Sequence, residues 1–164
     1  MLVTAWLDHL CLCAVSPVDQ EHATSLVAKN DKGKVTLLRF KPAVNPVDLL
    51  DDLTQLYRRG QTEPLLFFSK SSYDFARTMI KGNADFEKRE QAAFEKAHAT
   101  YFAGNSFMNI PPEGEEPHLA LLFGADNPLE PGYCPWHEAP CPPGFADLAL
   151  QVYEPLLDHL EEIG

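Results

Sequence analysis

The stretch Thr24-Ser-Leu-Val-Ala-Lys29, Asn30-Asp31-Lys32-Gly33, Lys34-Val-Thr-Leu-Leu-Arg39-Phe40-Lys41 decides the fold. Two runs rich in β-branched and apolar residues, Thr24–Lys29 and Lys34–Phe40, flank a four-residue turn cluster that ends in glycine. This pattern predicts a β-hairpin. The same stretch is the basic part of the chain. Lys29, Lys32, Lys34, Arg39 and Lys41 stand against Asp31 alone, a local balance of +4 within a chain of net charge -11. A solvated hairpin face is the weightier reading of these cations, and a local DNA or partner contact is the other.

Before the hairpin, Leu2 to Val15 is apolar but carries Asp8 and His9 and lacks both a basic start and a small-residue cleavage pattern, so it reads as a core helix rather than a signal peptide. After it, Asn45 is placed to cap a helix that begins at Pro46, carries Asp48 in its first turn and repeats Leu49, Leu50, Leu53, Leu56 and Tyr57 at helical spacing up to Gly60. That helix is expected to bury one face on the sheet. Pro64–Phe68 reads as a short buried strand, and a helix then starts at Ser71 or Ser72 and runs through Phe75, Met79 and Ile80 to Gly82. The expected order so far is helix, strand, strand, helix, strand, helix.

Further on, Asn83 opens a helical segment with Phe86, Phe94, Ala97 and Tyr101 on one face, ending near Gly104, and Pro111–Pro117 is an acidic, proline-rich loop. His118–Phe123 fits either a strand or a buried helical turn. The stretch from Asn127 to Gly144 holds six of the fourteen prolines and must be irregular. Phe145, Leu148, Val152, Leu156, Leu160 and Ile163 then mark a closing amphipathic helix, which Pro155 should kink because it cannot donate to Gln151. There is no internal repeat.

With 164 residues, 45% of them hydrophobic, the chain has the length and apolar content of one ordinary α/β domain. No run approaches the roughly 20 apolar residues that span a bilayer, so no membrane partner is expected. Four cysteines fall short of a disulfide framework and favour a reducing cytoplasm. Strong net acidity argues against a large phosphate-binding surface, because nucleic-acid affinity rests on Lys and Arg contacts to the backbone. Ser69, Ser71 and Ser72 lack a nucleophile elbow, and no glycine-rich phosphate loop is present. Acyl transfer, nucleotide binding and any cofactor are therefore not expected. For His9 and His159, both in helical segments, a capping or exposed role is expected, and Cys11 and Cys13 are read as small core residues.

A hairpin ending in Leu37-Leu38-Arg39-Phe40-Lys41, followed by a helix and a further strand, resembles the core of the PD-(D/E)xK nucleases. That chemistry needs an Asp on one hairpin strand and an acid-x-Lys triplet on the next, because two carboxylates hold the Mg²⁺ that polarises phosphate and activates water. Here the triplet is Arg39-Phe40-Lys41 and the partner strand offers Thr24 or Ser25, so only Lys41 remains of a degenerate site formed by Ser25, Arg39 and Lys41. Three further segments bear on the reading: Ala5-Trp6-Leu7-Asp8-His9-Leu10 before the hairpin, Leu65-Leu66-Phe67-Phe68-Ser69-Lys70-Ser71, and Leu121-Leu122-Phe123-Gly124-Ala125-Asp126-Asn127-Pro128-Leu129 ahead of Tyr153-Glu154-Pro155-Leu156-Leu157. Together they resemble the C-terminal domain family of the exodeoxyribonuclease V gamma subunit, nearly along the whole chain.

The resemblance implies a mixed α/β, restriction-endonuclease-like core without catalysis. It also implies a single domain over 1–164 that is a C-terminal fragment of a longer subunit, contacts with the alpha and beta subunits, and a part in positioning DNA within the holoenzyme. Two other readings stay open. One is an active metal-dependent nuclease with migrated carboxylates such as Asp31, Asp48 or Glu63. The other is a zinc-stabilised interaction module using Cys134, His137 and Cys141, with His118 or Glu138 as a fourth ligand. The spacing is not that of a standard knuckle, and a metal-free, poorly ordered proline loop is the expectation.

Overall fold

The hairpin forms in the expected place. In a computed structural model of the chain, which describes residues 2–17, 20, 22–29, 33–106, 109–134 and 143–163, two compact units are distinguished. The first comprises Met1–Glu63 and Pro155–Gly164, and the second Pro64–Glu154.

The first unit opens with helix α1 (Leu2–Val15) and the antiparallel strands β1 (Thr24–Lys29) and β2 (Val35–Phe40), with Thr24 opposite Phe40 and Lys29 opposite Val35. Residues 30–32 of the turn lie outside the described residues. Period-two alternation sends Thr36 and Phe40 inward to burial and leaves Val35, Leu37 and Arg39 exposed. Trp6 lies 5.2 Å from the Phe40 ring, 5.6 Å from His9 and 5.1 Å from His159, centroid to centroid, so an aromatic cluster seats α1 on the inner face of the sheet.

Helix α2 (Pro46–Gly60) starts at the expected proline and carries Asp48 in its first turn, but the Asn45 side chain makes no capping bond. Its apolar stripe packs chiefly against α1 rather than on the sheet, and none of its residues is fully buried. The inner face of the sheet is already occupied by Trp6 and His9. Leu49, Leu50, Leu53 and Leu56 are accordingly half-buried and Tyr57 is exposed.

The end of the chain departs from the sequence reading. The closing helix α6 (Phe145–His159) belongs to the second unit up to Glu154 and to the first from Pro155, and it stops at His159. Leu160–Ile163 is not helix but strand β3, antiparallel to β2, with Leu37 opposite Ile163 and Phe40 opposite Leu160. The backbone bond from Lys41 N–H to the His159 carbonyl, 2.8 Å, extends that ladder. The sheet is therefore three antiparallel strands in the order β1-β2-β3. A two-stranded hairpin is marginal in water, and the third strand supplies the pairing that β2 otherwise lacks.

In the second unit, Pro64–Phe68 is buried as expected at Leu66 and Phe68 but is not a strand. An apolar run signals burial, and here the extended Phe68 leads directly into helix α3 (Ser69–Lys81). Helix α4 (Phe86–His98) packs on α3 and continues as a π-helical turn, Ala99–Ala103, which Gly104 ends at φ 62. A Cβ at Gly104 would stand 2.5 Å from the Ile110 carbonyl oxygen, so only glycine fits beside the Asn105–Ile110 bridge. A 3₁₀ turn (Glu113–Glu115) then precedes helix α5 (Pro117–Phe123), which decides the strand-or-helix alternative at His118–Phe123 for helix.

The core of this unit is aromatic. Phe68 lies 4.9 Å from Tyr101, 5.5 Å from Phe123 and 6.0 Å from Phe145, and Phe75 packs edge-on against Phe94 and Phe145. The architecture over both units is thus mixed α/β, with six α-helices and one small antiparallel sheet among the described residues.

Candidate functional site

Ser25 and Arg39, two of the three positions that the sequence suggested as a degenerate site, fall together on the outer face of the sheet. Ser25 stands directly opposite Arg39 across the β1–β2 ladder, and Glu161 stands opposite Arg39 across β2–β3. Side chains two residues apart on a strand share a face. Ser25, Val27 and Lys29 therefore line the outer side of β1, and Val35, Leu37 and Arg39 that of β2.

Lys41 follows immediately, and its Nζ lies 3.1 Å from Glu161 Oε1 with both side chains about half exposed. The carboxylate beside Lys41 thus comes from the third strand and is occupied by the lysine itself. Glu162, its neighbour, takes a hydrogen bond from the Thr36 hydroxyl at 2.9 Å. A divalent cation placed between Ser25 and Glu161 would meet the Arg39 guanidinium, a like charge at close range.

Of the displaced acids, Asp31 lies outside the described residues. Asp48 sits in the first turn of α2, and Glu63 is ion-paired with Arg59. Among the described residues no group of three His, Cys, Asp or Glu side chains could hold a metal ion. Of the basic residues, Lys29, Lys34, Arg39 and Lys41 are exposed, while Lys32 lies outside the described residues.

His9 is neither exposed nor a cap. It is fully buried, with Nδ1 2.9 Å from Thr24 Oγ1 and Nε2 2.8 Å from the Lys41 carbonyl oxygen, so one ring joins α1 to the start of β1 and the end of β2. Only a protonated Nε2 can donate to that carbonyl, and a neutral ring then accepts from the Thr24 hydroxyl at Nδ1. Burial is the chief force holding this imidazole below its ordinary pKa; the bond to Lys41 opposes it, and His159 and His22 add repulsion. A hollow of about 700 Å³ beside it is lined by Cys13, Ser16, His22, Lys41 and Pro42 among others. Cys11 is exposed rather than a core residue, and Cys13 is half-buried; both are free thiols.

For the zinc reading, Cys134 is disulfide-bonded, so it is not a free thiolate ligand, and His137 and Cys141 lie outside the described residues together with Glu138. The expectation of disorder in that loop falls on the same residues. His118 Nε2 lies 3.9 Å from Glu116 Oε2.

The polar site that sequence reasoning missed is Glu113. Its carboxylate is buried at the start of α3, accepting from Lys70 N–H at 2.9 Å, Ser71 N–H at 2.7 Å, the Ser71 hydroxyl at 2.7 Å and the Ser69 hydroxyl at 3.2 Å. The orphan N–H groups of a helix start are thereby satisfied from a distant turn, where the helix dipole favours negative charge. Burial first, and then Glu113, push the Tyr101 hydroxyl up to about 12. Tyr153, whose hydroxyl donates to the Ser69 carbonyl at 2.8 Å, is pushed up to about 12 by burial, Glu113 and Tyr73. Both Glu113 oxygens are engaged, and they tie the 3₁₀ turn to the start of α3. The only sequence sign was an acid, Glu113, beside a glycine, Gly114, at which a Cβ would press to 2.6 Å from the Tyr101 ring.

No helix among the described residues is long and apolar enough to cross a membrane. No curated protein matches the chain. Residues 1–80 do match the family model of the RecC C-terminal domain. The match takes in the α1–β1–β2–α2 segment, the Leu65–Ser71 segment and almost all of α3. RecC is the gamma subunit of exodeoxyribonuclease V, the RecBCD exodeoxyribonuclease/helicase complex. Over residues 1–80, just under half of its length, the chain is therefore similar to the RecC C-terminal domain family.

Proposed function

We propose that this chain is a non-catalytic assembly and DNA-positioning domain of the cytoplasmic RecBCD complex, derived from a nuclease-like fold and retained for contact. The observation that carries the reading is the pairing of Ser25 with Arg39. At the two positions where a metal-dependent nuclease hairpin holds carboxylates stand a hydroxyl and a guanidinium, and neither supplies the anionic oxygen that Mg²⁺ requires. The α1–β1–β2–α2 segment is the part of a restriction-endonuclease-like core that the chain offers. The whole of 1–164 then acts as one functional domain at the C-terminal end of a longer subunit, with the alpha and beta subunits as partners.

Lys29, Lys32, Lys34, Arg39 and Lys41 form the stretch for a DNA or partner contact within the holoenzyme, since net charge outside it is strongly negative. The test is co-purification of the alpha subunit with full-length gamma subunit and with a version lacking this domain. Selective loss from the truncated form, with the remainder folded, is the expected result. Equal recovery with both would defeat the reading.

A further inference from the structure

The two faces of the sheet are unequal in an informative way. The inner face is covered by α1 through Trp6 and His9, whereas the outer face carries Val27, Leu37 and Ile163 in one cross-strand row and Val35 beside it. These four are 73%, 36%, 41% and 71% exposed. A one-sided antiparallel sheet ordinarily turns polar residues to water, and single exposed valines need no account beyond β-propensity. A row continuous over all three strands is a patch, and patches of this kind mark contact sites.

Charge frames the row. Lys29 lies beyond it at one end, and Arg39 and Lys41 at the other. Glu161, opposite Arg39, is engaged by Lys41, and no ion pair to Lys29 or Arg39 is found among the described residues. From this we infer that the outer face of β1-β2-β3 is a docking surface for one amphipathic helix of another protein subunit, its apolar stripe seated on Val27, Leu37 and Ile163 and its carboxylates facing Lys29 and Arg39. The inference rests on the contact role proposed above and assigns it a surface and a partner chemistry.

Three arguments select that occupant. Strands lie about 4.8 Å apart, so the three-stranded face is about 10 Å wide, which is the diameter of one helix with its side chains. A second copy of this chain, meeting face to face about a two-fold axis, would set the cations of one copy against those of the other. A nucleic acid would lay phosphates over the apolar row and leave Val27 and Leu37 without a partner. Acidic flanks on a helix match Arg39 well, because a guanidinium takes a carboxylate through two parallel bonds.

The experiment uses full-length gamma subunit co-expressed with the alpha and beta subunits, comparing wild type, Arg39→Glu, Leu37→Thr, Leu37→Asp and deletion of the domain. Expected is retention of one partner subunit that weakens about tenfold for Arg39→Glu and more for Leu37→Asp, and a salt dependence that flattens in Arg39→Glu. Leu37→Thr keeps β-propensity while removing apolar area, and it should show a smaller loss with an unchanged melting temperature of the gamma subunit alone. If deletion releases a subunit while all three face variants retain it, the surface is wrong and the contact role survives. If deletion itself releases nothing, both fall. Unchanged subunit retention with weakened DNA binding by the holoenzyme would make the face a nucleic-acid surface and overturn the inference. A gamma subunit destabilised on its own by Arg39→Glu and Leu37→Thr would mean the face is covered within the same chain, which overturns it equally.

Discussion

The two units solve the problem of polar groups near a core in opposite ways. The second unit buries its polar centre: Glu113 has four donors, and Phe68, Phe75, Phe94, Tyr101, Phe123 and Phe145 pack on one another as its aromatic core. The first unit is thin. One aromatic cluster of Trp6, His9, Phe40 and His159 holds α1 to one side of a small sheet, and the other side stays open with Val27, Val35 and Arg39 exposed. The contrast teaches where to look for each property. In the second unit the buried carboxylate has its donors and the core rings have neighbours, whereas the outer sheet face of the first leaves apolar side chains exposed.

The sharpest way to break the comparison is to hollow the closed unit. Phe68→Ala removes a ring that meets Tyr101, Phe123 and Phe145 and should destabilise the protein by about 3–5 kcal/mol, measured by urea unfolding. A cost below about 1 kcal/mol would mean the aromatic cluster is not the core it resembles.

Next in size is the buried carboxylate. Glu113→Ala leaves Lys70 N–H, Ser71 N–H and the Ser71 hydroxyl without their acceptor and should cost about 2–3 kcal/mol. Glu113→Gln keeps one acceptor and loses the charge, so its cost should be intermediate. Equal melting temperatures for Glu113→Gln and wild type would show that the helix start does not depend on the anion.

The open unit should respond to pH. Burial holds His9 below the ordinary 6.5, so the unfolded chain takes up a proton as pH falls past that value while the folded chain resists. The unfolded state then binds more protons, and folding stability declines as pH drops from 6.5 through the lower folded pKa; above 6.5 the contribution is level. Urea midpoints between pH 7.5 and pH 5 measure it, and His9→Asn should flatten the slope in that range at lower overall stability. An identical slope in that variant would place the titration elsewhere.

The smallest expected effect is on the outer face. Lys41→Ala breaks an ion pair whose partners are about half exposed, and it should change stability by less than about 0.5 kcal/mol. On the proposed reading, neither the purified chain nor its Arg39→Asp variant should cut linear DNA with Mg²⁺ or Mn²⁺, since Ser25, opposite Arg39, supplies no second carboxylate. Cleavage abolished by Lys41→Ala would restore the migrated-carboxylate reading.

Much of this was legible in the chain itself. Alternation and the Asn-Asp-Lys-Gly cluster are local signals, and they placed β1 and β2 to within a residue; Pro46 and Gly60 bounded α2 for the same reason. Leu2–Val15 was found as a helix with its limits, and the apolar run at Pro64–Phe68 was correctly read as buried at Leu66 and Phe68 but wrongly as a strand.

The other misses share one physical cause. Leu160-Glu-Glu-Ile163 has good helix formers and apolar residues three apart, so local preference continues the helix. Strand β3 exists because β2 has hydrogen-bonding groups to satisfy 120 residues away in the chain, a demand that no window of sequence contains. Glu113 is the same case for a side chain: nothing around it announces burial, and its donors come from Ser69, Lys70 and Ser71, forty-odd positions earlier. The sequence by itself determined the hairpin and the limits of α1 and α2, because each is written in residues next to one another. Only the tertiary structure decided that Glu161 faces Lys41 and that an apolar row crosses three strands, because those neighbours meet through backbone pairing between distant segments.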